Sequence, residues 1–231
     1  FQDPMTSLNP TMTIGQQIAE PLRVHRGLSP SAALESAIDL LKKAKIPEAE
    51  RRASQYPFEF SGGMLQRAMI AQAMACSPKL LIADEPTTAL DVTIQAQILA
   101  LMSELKERLD MAIILITHDL AIVAKMADRV CVMYAGQIVE RGSAEDIFYR
   151  SHHPYTVGLK QAMPSRSLSR ESKLAPIPGS PPDLFAPPKG CGYAPRCPHV
   201  MNVCVEKDPP EIPDPASPQH TAKCWLQHQD A

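Results

Sequence analysis

The chain has 231 residues, 45% of them hydrophobic, with 23 Lys and Arg residues against 25 Asp and Glu residues and a formal net charge of −2. This balance excludes a nucleic-acid binder held by a basic surface, because such binding depends mainly on neutralising phosphates. The longest apolar stretches, such as Ala112–Ile116, are far shorter than the roughly 20 residues that span a bilayer. The chain opens at Phe1 rather than Met, and we expect it to be a fragment, or a mature chain that lacks upstream sequence.

The first part of the chain alternates predicted helices with short apolar strands. Apolar residues at helical spacing predict a helix over residues 31–44, and a second helix is predicted over residues 64–76, before Pro78. Residues 80–83 are wholly apolar and are typical of a buried parallel strand. Asp91 is a suitable N-cap for a third helix, which carries apolar residues on one face.

A second apolar strand and a hairpin follow. Ala112–Ile116 is wholly apolar and is predicted to be another buried strand. Arg129–Tyr134 and residues 137–140 are predicted to form a hairpin that turns at Ala135-Gly136. The alternation of helices and strands predicts an α/β fold.

Ionisable side chains follow both apolar strands at the point where each strand ends. Asp84 and Glu85 come directly after the first strand, and His118 follows the second, with one helix between them. A strand–helix–strand unit of this length places two parallel strands side by side, or nearly so. Their carboxyl ends then share one edge of the sheet, where ligands of open α/β sheets bind. The topology therefore predicts that both carboxylates and the imidazole face one crevice.

This set of groups suits phosphoryl transfer. One acid at a strand end can hold Mg²⁺, a second acid can polarise a water molecule, and a histidine can contact the γ-phosphate. Ser61-Gly62-Gly63, at the start of the second helix, offers backbone N–H groups, the positive end of the helix dipole and a hydroxyl. Simpler interpretations stay open, since Asp84 and Glu85 can cap the turn before Pro86, and His118 can be an ordinary loop histidine. Ser-Gly-Gly also serves as a plain helix entry.

The order and spacing of these residues resemble the motifs of an ABC-transporter ATPase subunit. S-G-G-M at positions 61–64 resembles the signature motif, and L-I-A-D-E-P-T at positions 81–87 resembles Walker B. A-L-D at positions 89–91 resembles the D-loop, and I-T-H-D at positions 116–119 resembles the segment of the switch histidine. F-Q-D-P at positions 1–4 resembles the Q-loop.

Further motifs resemble the oligopeptide/dipeptide importer branch of this family: M-T-S-L-N-P at positions 5–10, M-Y-A-G at positions 133–136, H-P-Y-T at positions 153–156 and the cysteine-bearing tail. The resemblance implies an α/β fold, a partial P-loop NTPase (ABC ATPase) domain over residues 1–163. Residues 3–77 would form mostly the helical subdomain and the signature helix.

A composition shift near Met163 marks the end of this domain. Fourteen of the 23 prolines and four of the six cysteines follow Met163. Residues 165–170 are predicted to be an exposed linker. Residues 164–231 are therefore expected to be a Pro-rich, cysteine-containing C-terminal extension without long helices or central strands.

The resemblance implies a role for each residue at the strand ends. Glu85 would be the general base, and His118 would contact the γ-phosphate of ATP. Asp84 would hold Mg²⁺ through water. Gln2 would reach Mg²⁺ and the attacking water, and would link the site to the membrane subunits.

The resemblance also implies contacts between subunits. Ser61, Gly62 and Gly63 would bind the γ-phosphate of ATP held by the opposite subunit, and Asp91 would cross the dimer interface. The implied partners are a second ABC ATPase subunit, two transmembrane permease subunits and, indirectly, an extracytoplasmic solute-binding protein, with no nucleic acid. The protein would be an ATPase, peripheral on the cytoplasmic face of the inner membrane, that energises import of dipeptides, oligopeptides or similar small solutes.

The phosphate loop of such an ATPase is not found in this chain. The loop G-x-x-x-x-G-K-[ST] requires a Gly-Lys pair, and the sequence contains none. The resemblance places that loop upstream of the Q-loop, so we expect the chain to begin about a third of the way into the domain and to lack ATPase activity by itself. The alternative function is a non-catalytic interaction module that donates its signature motif to a partner.

Four cysteines in the tail form a second candidate site. Cys191, Cys197, Cys204 and Cys224 are separated by five, six and nineteen residues, which matches neither zinc ribbons nor common ferredoxin runs. From spacing alone, a metal or Fe–S site and free thiols are equally favoured. Resemblance to peptide-importer ATPases implies a [4Fe–4S] cluster, with zinc as the main alternative. Three histidines are interpreted as packing or surface residues rather than ligands: His152, His153 and His199.

Overall fold

A computed structural model describes residues 2–88, 90–163 and 176–228. The chain forms two compact units, Phe1–His118 and Asp119–Ala231, so the units divide earlier than the boundary expected near Met163. Among the described residues, no helix is both long and apolar enough to cross a bilayer.

Parts of three sequence predictions lie outside the described residues. These are the linker at residues 165–170, Phe1 of the Q-loop motif and Ala89 of the D-loop motif. Residues 164–175 and 229–231 of the expected C-terminal extension also lie outside the described residues, whereas the other predicted elements and site residues fall within them.

The first unit is mostly helical. Its helices are α1 (Pro4–Ser7), α2 (Ile14–Arg26), α3 (Pro30–Lys43), α4 (Ala49–Arg52), α5 (Gly62–Ala73) and α6 (Val92–Leu109), and its strands are β1 (Leu80–Asp84) and β2 (Ala112–Ile116). The helix predicted over residues 31–44 and the helix predicted to begin at Asp91 are confirmed. Helix α5 begins two residues earlier and ends three residues earlier than predicted.

Local sequence signals start and stop the first helices. The Thr13 hydroxyl accepts a hydrogen bond from the backbone N–H of Gln16, and the Gln16 side chain accepts one from the N–H of Thr13. This capping box satisfies two N–H groups that α2 leaves without helical partners. Gly27 ends α2 in the left-handed conformation at φ 67°, and Ser29 with Pro30 begins α3. These signals divide the segment into separate helices.

Helices α5 and α6 approach each other closely at Gly63. A Cβ atom at Gly63 would lie 2.7 Å from Cγ2 of Ile94, whereas a Cβ atom at Gly62 would lie 3.8 Å from Leu90. The Asp91 carboxylate caps α6 by accepting two N–H groups of its first turn, each at 3.0 Å, as predicted. Gly63 therefore serves the packing of this helix pair.

Strands β1 and β2 form a two-stranded parallel sheet and pair directly. Leu80 lies opposite Ala112, and Asp84 lies opposite Ile116. Both strands are predicted correctly, but their expected burial is wrong on one face, where Ile82 is 58% exposed and Ile116 is 48% exposed. A parallel strand is buried on both faces only where a layer covers each face. Among the described residues of this unit, one face of the pair has no such layer.

The second unit is built on a four-stranded sheet. Its helices are α7 (Leu120–Met126), α8 (Ala144–Tyr149), α9 (Pro154–Gln161) and α10 (Asn202–Glu206), and its strands are β3 (Arg129–Tyr134), β4 (Gln137–Ser143), β5 (Glu211–Asp214) and β6 (Ser217–Lys223). The strand order is β3-β4-β6-β5. The predicted hairpin of β3 and β4 is confirmed, with Ala135 and Gly136 both at positive φ, as its two-residue turn requires.

The tail contributes a central strand, which the sequence analysis did not expect. Strand β6 pairs with β5 on one side and with β4 on the other, where Arg141 lies opposite Thr221. The expectation failed because the prolines avoid the central ladder. Pro218 lies near the start of β6, before its pairing with β4, and Pro213 lies on the outer strand β5. Proline is tolerated at such positions because no central ladder bond is lost there.

We expect Gly63→Ala to lower the free energy of unfolding by about 1–3 kcal/mol, since the new methyl group overpacks the contact with Ile94. The β-branched Ile94 side chain has little rotamer freedom on a helix to move aside. Gly62→Ala is the matched control, with ordinary contact distances and the better helix propensity of alanine. Urea unfolding followed by circular dichroism measures both variants. Equal stabilities would show that α5 and α6 relax without cost.

Candidate functional site

The two parallel strands bring the predicted acids and histidine to one edge of the sheet. Asp84 is the last residue of β1 and is half-buried opposite Ile116. The backbone N–H of Glu85 donates to the carbonyl of Ile116 at 2.9 Å, so the ladder continues one residue past β1. His118 follows β2 by two residues. The three residues therefore share one edge of the sheet, as the topology predicts, whereas a single crevice that all three face stays a prediction, since the described cavity there is lined by Asp84 and not by Glu85 or His118.

Glu85 and His118 are in direct contact. The Glu85 Oε1 atom lies 3.1 Å from Nδ1 of His118, across 33 residues of sequence. The Glu85 side chain is 26% exposed and the His118 side chain is 78% exposed, so the pair is open to solvent on the histidine side. Glu85 also has a left-handed backbone at φ 45°. Such a conformation is uncommon for a residue with a Cβ and concentrates at functional sites.

Thr88 is a site residue that the sequence analysis missed. Its Oγ1 donates a hydrogen bond to Oε2 of Glu85 at 2.8 Å, while its backbone N–H donates to the carbonyl of Glu85 at 3.1 Å. The Thr88 hydrogen bond and then the His118 contact lower the pKa of Glu85 below its usual value. The carboxyl group is therefore ionised near neutral pH. The signal in the sequence was a hydroxyl residue three positions after the acid, within the same turn.

Gln2 and Asp84 line one cavity of the first unit. This cavity has a volume of about 1050 Å³ and otherwise has mainly apolar walls. Carboxylate and amide oxygens are hard donors of the type that Mg²⁺ prefers. The cavity therefore places two of the predicted magnesium-site residues on a common surface.

The Ser-Gly-Gly sequence lies at the start of α5, as predicted. Ser61 precedes the helix and its side chain makes no capping hydrogen bond, so its hydroxyl is available to a ligand. The N–H groups of the first helical turn carry the partial positive charge of the helix end. Within the described residues, no hydrogen bond joins this helix start to the Glu85–His118 pair.

The four tail cysteines converge in the second unit. Cys191, Cys197, Cys204 and Cys224 line one small cavity, and the N–H of Cys191 donates to the carbonyl of Cys204 at 2.8 Å. Cys204 and Cys224 are buried, and the other two are partly buried. The 32 residues between the first and last cysteine therefore fold around a common centre, which the spacing alone did not reveal.

Burial and hydrogen bonds act in opposite directions on these thiols. Burial raises the pKa of Cys191 and Cys197, and raises the pKa of Cys224 to about 11. Backbone N–H groups two residues further along, such as that of His199 at 3.4 Å from the Cys197 sulfur, oppose this shift. Without a bound cation the thiols of Cys191, Cys197 and Cys224 are therefore protonated, and a metal would displace those protons.

Two family models match the chain. The ABC transporter model matches residues 1–88, and the model of the oligopeptide/dipeptide transporter C-terminal region matches residues 139–204. The first match ends shortly after Glu85. The second match includes three of the four tail cysteines.

Several curated relatives are similar over most or all of the chain. The oligopeptide transport ATP-binding protein OppD of Bacillus subtilis is 56% identical over 231 residues, covering 100% of this chain and 64% of the relative. The dipeptide transport ATP-binding protein DppD of the same organism is 53% identical, covering 100% of this chain and 68% of the relative. OppD of Salmonella typhimurium is 54% identical over 215 residues, and the match covers 93% of this chain and 64% of the relative. The chain thus spans about two thirds of the length of these relatives.

Solved structures share the fold. The ATP-binding cassette MJ0796, a dimer in a post-hydrolysis state bound to ADP and Pi, has a TM-score of 0.54 at 29% sequence identity. The match covers 62% of this chain and 61% of the MJ0796 chain. The protein cbiO1 from Clostridium perfringens, part of the ABC transporter complex cbiONQ, has a TM-score of 0.56 at 29% sequence identity. The match covers 69% of this chain and 60% of the cbiO1 chain.

Fold and site together define the class as ABC-type ATP-binding domains. Within that class, the chain belongs to the family of oligopeptide and dipeptide transport ATP-binding proteins.

We expect Thr88→Val to raise the pKa of Glu85, because the variant loses the hydrogen bond that favours the ionised carboxylate. The ionised fraction of Glu85 then falls at mildly acid pH. Thr87→Val is the matched control, since the Thr87 side chain makes no described hydrogen bond to Glu85. A carbon-13 NMR titration of the Glu85 carboxyl group measures the effect. An unchanged pKa in T88V, or an equal rise in T87V, would contradict this assignment.

Proposed function

We propose that the complete protein binds and hydrolyses ATP and so energises an ABC importer of oligopeptides or dipeptides. The observation that carries the proposal is the Glu85 carboxylate, held by Thr88 and His118 where β1 and β2 end. Similarity to transport ATP-binding proteins for oligopeptides and dipeptides supports the solute class. The proposal includes import of small solutes that are similar to these peptides.

In this proposal, Glu85 is the general base. An ionised carboxylate with a lowered pKa can accept a proton from an attacking water, and the Thr88 and His118 contacts hold it in one position. His118 is exposed beside it and can contact the γ-phosphate. Asp84 holds Mg²⁺ through water, and Gln2 reaches the same cation and the water from the shared cavity. Mg²⁺ offsets the charge of the phosphates when it is bound.

The signature residues act on the ATP of a second subunit. Ser61, Gly62 and Gly63 present a free hydroxyl and the N–H groups of a helix start, which together suit a γ-phosphate. Asp91 caps α6 with one carboxylate oxygen, and we assign it a further contact across the dimer interface. The dimeric state of the similar cassette MJ0796 supports this arrangement.

The remaining partners follow from the same proposal. The helices α1 to α4 form the docking surface for two transmembrane permease subunits, which receive solute from an extracytoplasmic binding protein. The ATPase pair is then peripheral at the cytoplasmic face of the membrane. The helical character of residues 4–52 supports this assignment, since it matches the helical subdomain that the sequence analysis expected.

We also propose that the tail cysteines hold a [4Fe–4S] cluster, for which four thiolates are a complete ligand set. Their common cavity and the N–H groups directed at their sulfurs support a thiolate-bound group. Among the described residues, no three of these sulfurs all lie within 4.8 Å of one another. A tetrahedral zinc site, the main alternative, would need sulfurs about 3.8 Å apart for bonds of about 2.3 Å.

The catalytic proposal predicts that Glu85→Gln lowers ATP hydrolysis by the assembled transporter by a factor of about 10²–10⁴, the usual contribution of a positioned base. ATP binding is expected to stay intact, because the amide keeps the shape of the side chain. Glu107→Gln, at an exposed position of α6, is the control and should hydrolyse ATP normally. Normal turnover in E85Q would remove Glu85 from this role. A complete protein that binds no ATP would favour the non-catalytic module instead.

The cluster proposal predicts that the complete protein, purified without oxygen, is brown and contains iron and sulfide. Cys197→Ser should lose both, whereas Cys131→Ser, at an exposed cysteine outside the cavity, should keep them. Elemental analysis and the visible absorption spectrum measure the outcome. Zinc without iron would reject the cluster, and the absence of both metals would show free thiols.

A further inference from the structure

Three potential metal ligands converge in the second unit, outside the cysteine cavity. Asp214 ends β5, His220 lies on β6, and His152 lies between α8 and α9. The Asp214 Oδ2 atom lies 3.6 Å from Nε2 of His152 and 3.8 Å from Nδ1 of His220. All three ligand atoms lie within 4.8 Å of one another. Residues far apart in sequence thus direct two imidazole nitrogens and one carboxylate oxygen to one point.

His220 is fully buried and only one of its ring nitrogens is paired. Its Nε2 lies 2.8 Å from Oε1 of Glu140, which is also fully buried. Its Nδ1 has no hydrogen-bond partner within the described part of the chain. A buried polar atom without a partner is costly, so a group that pairs with Nδ1 would stabilise this region.

Glu140 determines which nitrogen of His220 carries the proton. Its carboxylate already accepts the backbone N–H groups of His152 at 2.6 Å and of His153 at 3.1 Å. It therefore acts as an acceptor, and His220 donates to it from Nε2. In the neutral imidazole, Nδ1 then presents a lone pair towards the Asp214 carboxylate. A positive charge between these two electron-rich atoms, either a bound metal ion or a second ring proton, would remove their repulsion.

Asp214 has one carboxylate oxygen available for that cation. Its Oδ1 accepts the backbone N–H of Ala216 at 2.9 Å, which closes the turn between β5 and β6. Its Oδ2 faces the two histidines. Asp214 is 13% exposed and His152 is 22% exposed, so a metal ion can enter from the His152 side.

We propose that His152 Nε2, Asp214 Oδ2 and His220 Nδ1 bind a divalent transition metal, with Zn²⁺ as the best match to this donor set. Bonds of about 2.1 Å to a tetrahedral ion place the ligand atoms about 3.4 Å apart. The observed distances of 3.6 and 3.8 Å need only small movements. Glu140 is the carboxylate that orients a metal-binding histidine through its second nitrogen.

The metal would act as a cross-link. It joins the β5–β6 hairpin of the tail to the loop before α9, and so fixes the tail against residues that precede it by more than 60 positions. A metal that binds the folded state and not the unfolded chain stabilises by mass action. The bound ion keeps room for a fourth ligand, which water can supply on the exposed side.

Cobalt(II) is the probe, because it replaces zinc and reports its ligands spectroscopically. We expect the complete, chelator-treated protein to bind one equivalent of Co²⁺ with visible bands but without the near-ultraviolet charge transfer of thiolate ligation. That equivalent is therefore distinct from metal at the tail cysteines. The His152→Ala and Asp214→Asn variants should bind Co²⁺ more than about 100-fold more weakly. Loss of a residue that only orients a ligand weakens metal binding about 10–100-fold, so a larger loss is expected of the ligands themselves.

His25→Ala is the matched control, since it removes one exposed histidine of α2 and should leave Co²⁺ binding unchanged. Circular dichroism verifies the fold of each variant, and if one does not fold, the other decides the outcome. Glu140→Gln should weaken binding about 10–100-fold, as expected of a positioning residue. Unchanged Co²⁺ binding in H152A or D214N, no binding by the wild-type protein, or a spectrum with thiolate charge transfer only would overturn the proposal.

Discussion

The direct parallel pairing of β1 with β2 is the constraint on which the candidate nucleotide site depends. Asp84 lies opposite Ile116, and the N–H of Glu85 extends the ladder by one further bond. Because the strands are neighbours and not merely members of one sheet, Glu85 and His118 come within hydrogen-bond distance. An intervening strand would separate their positions by two strand spacings, or about 10 Å. A few backbone hydrogen bonds therefore set the geometry of the proposed base.

Topology made this part of the site predictable from sequence. Acids and a histidine at the ends of two apolar strands need only parallel pairing to meet, and pairing of that kind follows from the helix between them. The part that sequence did not reveal is the turn after β1. Thr88 reaches Glu85 through a turn that its own N–H closes onto the Glu85 carbonyl, and Glu85 enters this turn with a left-handed backbone for which a glutamate gives no local signal. The electrostatic environment of the carboxylate thus depends on the turn that carries Thr88.

The second unit was predictable only where its contacts are local. The hairpin at Ala135-Gly136 was found because its turn is encoded in two adjacent residues. The position of β6 between β4 and β5 was missed, because strand pairing across many residues leaves no periodic signal and the surrounding prolines suggested irregular structure. The contact of His220 with Glu140 joins residues that are also 80 positions apart, so it could not be predicted from the sequence either. Sequence alone thus described the helices and turns better than the sites that the tail completes.

The pairing of β4 with β6 has a consequence for synthesis of the protein. Arg141 and Thr221 are 80 residues apart, yet they lie opposite each other in the sheet. A ribosome releases β4 well before β6, so the nascent chain carries β4 with β3 on one side and an open edge on the other. Open edges recruit strands from other molecules. The interval between translation of these two strands is therefore the period in which a chaperone is most useful to this protein.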